Sequence, residues 1–217
     1  MKDSTGVLFS VFSSIRQTGF PELIAIITAL IYVVLAARAN KWCWIFGIVS
    51  SAIYVWFFFV LTYYYDAFLN VYYVVIGFYG WYAWTRKKAE TEESLPIYSA
   101  DKRTLLLLIA TGAAATLLLG WGGPRLASFF AEIFHADVPP FKRPYVDAML
   151  TSFSLVATWM TTRKMIENWI FWVVIDAGYV IVCLISERPS TALLMFIYTI
   201  IAIFGYFRWK KTMPSGA

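Results

Sequence analysis

Charged side chains are scarce in this sequence. Asp, Glu, Lys and Arg make up 14% of the 217 residues, whereas a soluble domain has about 25%. Hydrophobic residues make up 60% and aromatic residues 19%. This composition excludes an ordinary soluble domain and predicts an all-α integral membrane protein. The net charge of +5 comes from basic residues at the ends of apolar segments, which is typical of membrane helices rather than of nucleic-acid binding.

Residues that commonly carry chemistry are also few. The two cysteines, Cys43 and Cys183, lie in or beside apolar segments and are predicted to be buried without a disulfide or a metal. No phosphate-binding loop of the GxxxxGK[ST] type and no HExxH motif is present. The last apolar segment has no lysine before its end that would form a retinal Schiff base. The sequence therefore predicts that the protein is not an enzyme and binds no cofactor or metal.

Seven segments approach the length of about 20 apolar residues that a membrane-spanning helix needs. They cover residues 21–38, 42–62, 66–85, 104–121, 145–162, 168–186 and 191–209. If all seven cross the membrane, twelve Lys and Arg residues fall on one side and six on the other. The positive-inside rule then predicts an outside N-terminus and a cytoplasmic C-terminus.

An internal repeat relates residues 20–86 to residues 145–211 at a constant offset of 125 residues. Fifteen of the 67 paired positions are identical, and the identities fall on tryptophan, tyrosine, glycine and arginine as well as on aliphatic residues. Each unit holds three helices, and the fourth segment joins them, so both units have the same orientation. Such a 3+1+3 layout of parallel repeats is typical of transporters that bind their substrate between the two halves.

The predicted organisation has five parts. They are an N-terminal interfacial segment at 1–20, a first three-helix repeat at 21–86, a linker with the fourth helix at 87–144, a second repeat at 145–211 and a tail at 212–217. For residues 1–20 a disordered tail is the alternative to a helix on the membrane surface. Within the proline-containing linker, residues 127–134 are predicted to form a short separate interfacial helix.

Residues 168–179 hold the strongest candidate for a binding site. Trp169, Trp172, Asp176 and Tyr179 follow one another at i, i+3, i+7 and i+10, so they share one helix face. A charge at membrane depth costs about 3 kcal/mol and usually faces a cavity or a partner. An acid among aromatic planes is typical of a site for a flat, polar, cationic molecule. The alternative is interfacial tryptophans with an aspartate that makes a helix–helix hydrogen bond.

The repeat provides a comparison for this stretch within the same chain. Trp44 and Tyr54 of the first half correspond to Trp169 and Tyr179, so these residues belong to a shared frame. Trp172 and Asp176, in contrast, have Gly47 and Ser51 as counterparts. We expect the second half to provide an aromatic wall and a carboxylate, and the first half to leave open space at Gly47.

Other polar candidates lie on the third and fifth helices. Thr151, Ser154 and Thr158 form a stripe that either hydrogen-bonds a sugar or joins neighbouring helices. Asn70 shares a face of the third helix with Tyr73 and needs a hydrogen-bond partner if buried. Two further groups have structural predictions: Trp84 and Trp209 as interfacial anchors, and Gly77, Gly80, Gly112 and Gly120 as positions of close helix packing.

Several of these segments resemble the bacterial PnuC family of nicotinamide riboside transporters. They are DAFLN at 66–70, YGWYAW at 79–84, residues 147–159, and residues 163–176 with Arg163-Lys164, Glu167-Asn168-Trp169, Trp172 and Asp176. The resemblance extends over nearly all of residues 21–211. It implies seven transmembrane helices in a layout similar to that of the SWEET sugar carriers, a cytoplasmic C-terminus and a homotrimer.

The resemblance also implies a substrate and a mode of transport. Nicotinamide riboside would enter through the bacterial inner membrane by facilitated diffusion with alternating access, and a cytoplasmic kinase would trap it as a phosphate. The implied substrate-binding residues are Trp44, Ser51, Asn70, Tyr73, Thr151, Thr158, Trp169, Trp172, Asp176 and Tyr179. The alternatives are the same scaffold carrying thiamine, riboflavin or a sugar, and a membrane receptor or accessory subunit without transport.

Overall fold

The computed structural model describes residues 19–60, 64–86, 95–135 and 143–214, so the predicted interfacial segment at 1–20 lies almost entirely outside the described residues. The described residues form seven α-helices and no β-strand. The helices are α1 (Phe20–Ala37), α2 (Cys43–Val60), α3 (Tyr64–Thr85), α4 (Lys102–Phe134), α5 (Pro144–Thr162), α6 (Asn168–Ile185) and α7 (Pro189–Thr212). The predicted all-α class and the order of the helices are confirmed.

Five of these helices, α1, α2, α4, α6 and α7, are long and apolar enough to cross a membrane. The protein is thus a membrane protein with several apolar helices. The other two, α3 and α5, carry most of the polar candidates. On α5 these hydroxyl groups are buried, since Thr151, Ser154 and Thr158 are each less than 8% exposed.

The prediction of a separate helix at 127–134 is wrong. α4 runs without a break through Pro124 to Phe134 and ends at His135, which has left-handed backbone torsions. A proline in a helix removes one hydrogen bond, and α4 continues beyond it. Nearby side chains bond to the same turns of the helix, with Arg125 donating to the Trp121 carbonyl and Ser128 to the Pro124 carbonyl.

The helices pack in two groups of three. α2 contacts both α1 and α3 in the first group, and α6 contacts both α5 and α7 in the second. Between the groups, α1 contacts α7 and α3 contacts α5, while α4 lies against α5 and α3. A Cβ atom at Gly112 or Gly120 of α4 would lie within 3 Å of the Phe153 or Tyr145 ring of α5. The prediction of close packing at the glycines is confirmed at these positions and at Gly77 and Gly80.

The turns after α1 and after α5 have the same conformation. Ala39 and Lys164, which are 125 residues apart, both have left-handed torsions, with φ of 51° and 57°. Asn40 N–H donates to the Leu35 carbonyl, as Met165 N–H does to that of Met160. These bonds satisfy carbonyl groups at the end of each first helix, in the manner of a Schellman motif.

Four tryptophans form the centre of the main hydrophobic core. This tryptophan cluster consists of Trp44, Trp84, Trp169 and Trp209, each no more than 2% exposed. Trp44 meets Trp84 edge to face at 5.4 Å between centroids, and Trp169 meets Trp209 in the same way at 5.4 Å. The prediction of Trp84 and Trp209 as interfacial anchors is wrong, because both rings are buried between the two helix groups.

The indoles of Trp84 and Trp209 also link the two groups through hydrogen bonds. Trp84 Nε1 donates to the Thr162 carbonyl at the end of α5, at 3.1 Å. Trp209 Nε1 donates to the Ala36 carbonyl at the end of α1, also at 3.1 Å. Each third helix is therefore bonded to the first helix of the other group.

We expect Trp84→Phe to lower the free energy of unfolding by about 1–3 kcal/mol, because the Thr162 carbonyl loses its indole donor. Trp209→Phe should cost less, about 0.5–1.5 kcal/mol, because the Ala36 carbonyl keeps the hydrogen bond from Ala39 N–H. Thermal and denaturant unfolding in detergent, followed by circular dichroism, would measure this loss. Trp56→Phe is the matched control, since Trp56 is 56% exposed. Equal costs at Trp84 and Trp56 would contradict the structural role of the bonds.

A strap of residues 95–101 covers the same end of the bundle. Tyr98 forms a parallel bridge with Met165, and Glu167 accepts hydrogen bonds from Ser99 Oγ and Ala100 N–H. Ile97 is 7% exposed and belongs to the hydrophobic core that contains the tryptophan cluster. The strap thereby fixes the chain before α4 to the turn between α5 and α6.

Candidate functional site

A cavity of about 150 Å³ lies between α1, α5, α6 and α7. From α6 it is lined by Trp169, Trp172 and Asp176, which are three of the four residues that the spacing in 168–179 placed on one face. The opposite walls include Tyr32 of α1 and Tyr198 of α7. The cavity is therefore bounded by helices from both groups.

Asp176 is the one carboxylate among the residues that line this cavity. It is 6% exposed, and its carboxyl group receives no hydrogen bond from the described residues. The hydroxyl groups of Tyr73, Tyr179 and Tyr198 lie in its electrostatic surroundings. The alternative of a helix–helix hydrogen bond by Asp176 is thus not realised in the described part of the chain. The cavity leaves this acid available to a cationic ligand.

The prediction of open space at Gly47 is wrong. A Cβ atom at Gly47 would lie 2.9 Å from the ring of Tyr32, so that ring fills the space. The counterpart of Tyr32 in the second half is Ala157, which is fully buried, while the counterpart of Gly47 is the large Trp172. The two halves therefore place their large aromatic residue on different helices, and the rings of Tyr32 and Trp172 both line this cavity.

Two further predicted residues do not line this cavity. Tyr179 packs in the cluster of Leu150, Ala157 and Ile175, and its hydroxyl lies close to Thr151. Asp176 is also among the electrostatic neighbours of Tyr179, so this tyrosine lies near the cavity's acid.

The other predicted polar residues already have partners within their own helices, or lie elsewhere. Asn70 Nδ2 donates to the Asp66 carbonyl at 2.9 Å, and Thr158 donates to the Ser154 carbonyl at 2.8 Å. Ser51 is half-buried on α2 and does not line the cavity. Tyr73 lies next to Tyr179 and Ser154, whereas Trp44 is buried in the tryptophan cluster.

Besides small apolar residues, the sequence reasoning missed three hydroxyl-bearing residues that line the cavity, Tyr32, Thr161 and Tyr198. Tyr198 is the counterpart of Tyr73, so the repeat contained a signal for it. Thr161 accompanies the stripe of hydroxyl groups on α5 and donates to Asn168 Oδ1 at 3.2 Å. Tyr32 has an alanine as its counterpart, and no pattern in the sequence distinguishes it from the other aromatic residues.

A helical membrane protein with a cavity between two helix groups has the features of a transporter of small molecules. The model of the family described as nicotinamide mononucleotide transporter matches residues 20–211, and this chain belongs to that family. The predicted membership of the PnuC family is confirmed.

Two similar proteins and one similar solved structure all have the name PnuC. The nicotinamide riboside transporter PnuC of Escherichia coli is 25% identical over 200 residues, which cover 87% of this chain and 84% of the relative. The protein of the same name from Neisseria mucosa is 24% identical over 87% of this chain and 71% of the relative. A crystal structure of the vitamin B3 transporter PnuC superimposes with a TM-score of 0.65 at 22% identity, covering 94% of this chain and 86% of that one. That likeness shows the fold.

Proposed function

We propose that this chain transports nicotinamide riboside across a bacterial inner membrane by facilitated diffusion with alternating access. Cytoplasmic phosphorylation of the product by a kinase would maintain the inward gradient. The observation that carries the proposal is the cavity in which Asp176 lies among Trp169, Trp172 and Tyr32. Nicotinamide riboside has a flat pyridinium cation, and such a ring is attracted both to a buried carboxylate and to aromatic faces.

The small size of the cavity supports the interpretation that this structure is a closed state of a transporter. Its volume of about 150 Å³ is below the range of about 300–1,000 Å³ that is typical of ligand pockets. The substrate would need the helix groups to separate before it could enter. At one end of the cavity the tryptophan cluster closes the bundle, and the hydrogen bonds of Trp84 and Trp209 would have to break for that end to open.

The 3+1+3 layout of parallel repeats, similar to that of the SWEET carriers, is part of the proposal. It is supported by the two groups of three helices, the equal turns at Ala39 and Lys164, and the paired tryptophan contacts. All seven helices would span the membrane. The end that bears the tryptophan cluster would be cytoplasmic, with the N-terminus outside, in agreement with the distribution of basic residues. We further propose a homotrimer, on the resemblance to the family.

Uptake into proteoliposomes would test the transport proposal. Labelled nicotinamide riboside is expected to equilibrate across the membrane without a proton gradient, and unlabelled thiamine, riboflavin or glucose should compete poorly. Transport of thiamine or riboflavin alone would overturn the proposal that nicotinamide riboside is the substrate. Binding of nicotinamide riboside without any flux would overturn the transporter and favour a receptor. Cross-linking in native membranes would test the trimer.

Trp172→Ala is expected to weaken nicotinamide riboside binding about tenfold, since cation–π stacking in a desolvated site contributes roughly 1–2 kcal/mol. Trp172→Phe should lose less, because it keeps an aromatic face. Isothermal titration of the detergent-solubilised protein would measure both. Trp56→Ala serves as the control for loss of an indole on an exposed surface. Equal affinities in Trp172→Ala and Trp56→Ala would remove Trp172 from the site.

A further inference from the structure

A second pocket, of about 420 Å³, lies at the end of the bundle where α1, α5 and α7 finish. Three basic residues line it, Arg38, Lys164 and Arg208, together with Leu95 to Ile97 of the strap. No carboxylate is among the residues that line it. Trp209 also lines this pocket, and its ring meets that of Trp169, which lines the cavity. One layer of tryptophans therefore separates the two spaces.

Lys164 is the least ordinary member of this group. It is 6% exposed and has left-handed torsions, which a non-glycine residue adopts at a cost of about 1–2 kcal/mol. Its Nζ lies 4.8 Å from the centroid of the Trp84 ring, and within the described residues no carboxylate acts on it. Burial consequently lowers the pKa of Lys164. A buried cation without a paired anion is unfavourable, and an anion in the pocket would remove that cost.

The repeat shows that the basic lining is not a consequence of the architecture. In the first half, the counterparts of Lys164 and Arg208 are Ala39 and Ala83. Arg38 does have an arginine as its counterpart, but Arg163 donates from Nη1 to the Tyr79 hydroxyl at 3.1 Å. Two of the three cations thus occur once, in the half where they converge on a single pocket.

We propose that this pocket binds a phosphate group, supplied either by a soluble phosphate ester or by the headgroup of an anionic lipid. Arginine matches the oxygen atoms of a phosphate through parallel hydrogen bonds, and lysine contributes a compact charge. The three side chains come from the turns after α1 and α5 and from α7. A bound phosphate would therefore hold both helix groups together at this end. If the protein transports as proposed, occupancy of the pocket would slow opening at the tryptophan cluster and inhibit flux.

The binding experiment uses the full chain in detergent and does not depend on transport. Adenosine monophosphate and inorganic pyrophosphate are titrated at constant ionic strength, with thermal unfolding and calorimetry as readouts. Lys164→Ala and Arg208→Ala introduce the residues of the first half, and Lys211→Ala is the control because Lys211 is exposed and does not line the pocket. We expect saturable binding that falls at least tenfold in the first two variants and is unchanged in the control. The lipid source is tested in nanodiscs with and without phosphatidylglycerol.

Each outcome decides the proposal. Stabilisation by phosphatidylglycerol alone, lost in Lys164→Ala, supports it and assigns the ligand to the membrane. No binding of either kind, or equal binding in Lys164→Ala, Arg208→Ala and Lys211→Ala, overturns it. Arg38→Gln and Arg208→Ala, both at exposed positions, provide the same comparison should the buried variant Lys164→Ala fail to fold. Phosphate binding with no transport of nicotinamide riboside would leave the pocket intact and overturn only the proposed function.

Discussion

Replacing Asp176 with asparagine is expected to weaken nicotinamide riboside binding roughly 30-fold, since removing one charge of a buried pair of opposite charges costs about 2 kcal/mol or more. Asparagine keeps the size and the hydrogen-bonding oxygen of the side chain, so the loss would isolate the charge. Reduced nicotinamide riboside, which has an uncharged ring, should bind the wild type and the variant with similar affinity. Calorimetry with both nucleosides in detergent would measure the two effects.

The repeat supplies the control for this experiment. Ser51 is the counterpart of Asp176 in the first half and does not line the cavity, so Ser51→Ala should change affinity little. Asp147→Asn removes another carboxylate, in the first turn of α5, outside the cavity. Small and equal losses of affinity in Asp176→Asn, Ser51→Ala and Asp147→Asn would show that Asp176 has a structural role. The cavity would then no longer support the proposed function.

Gly80→Ala is expected to destabilise the protein by roughly 2 kcal/mol, within the range of about 1–3 kcal/mol for an overpacked core. A Cβ atom at Gly80 would meet the Trp44 ring, at a separation that real Cβ atoms essentially never show. That ring cannot move aside easily, because Tyr32 and Trp84 pack against it at 6.0 and 5.4 Å between centroids. Unfolding in detergent, followed by tryptophan fluorescence, would measure the loss.

Two other glycines make this prediction specific. Gly205 faces the Trp169 ring in the second half, so Gly205→Ala should destabilise to a similar degree. A Cβ atom at Gly122 of α4 would have no heavy atom within 4 Å other than its chain neighbours and the backbone of its own helix. Gly122→Ala should therefore stabilise the protein by up to about 1 kcal/mol through helix propensity. A stabilising effect of Gly80→Ala would contradict the close packing of Gly80 against Trp44.

The membrane class and the helices could be predicted because they depend on local features. Long apolar segments and the scarcity of charge predict spanning helices, and proline near the start of α1, α5 and α7 marks where helices begin. The prediction at 127–134 failed because a single proline is compatible with a continuing helix when only one hydrogen bond is lost. The fate of Trp84 and Trp209 could not be predicted, since a tryptophan beside basic residues suits both an interface and a buried contact between helices.

The candidate site was predicted in part, for a related reason. Helical spacing was sufficient to place Trp169, Trp172 and Asp176 together, because residues on one face of one helix keep their arrangement in any fold. Asn70 and Thr158 were included on polarity alone, and the structure gives both a partner in their own helix. Tyr32 was missed because its role depends on which helix packs against α6, and that is a property of the assembled bundle.

The sequence by itself determined that this is an all-helical membrane protein of a transporter family, and it identified Trp172 and Asp176 as residues that one half has and the other lacks. Only the tertiary structure decided what faces them. Tyr32 fills the space above Gly47, and the tryptophan cluster joins the two groups of helices. The physical reason is that composition and periodicity fix the conformation of each helix, whereas a cavity is shaped by side chains of different helices whose proximity no local pattern specifies.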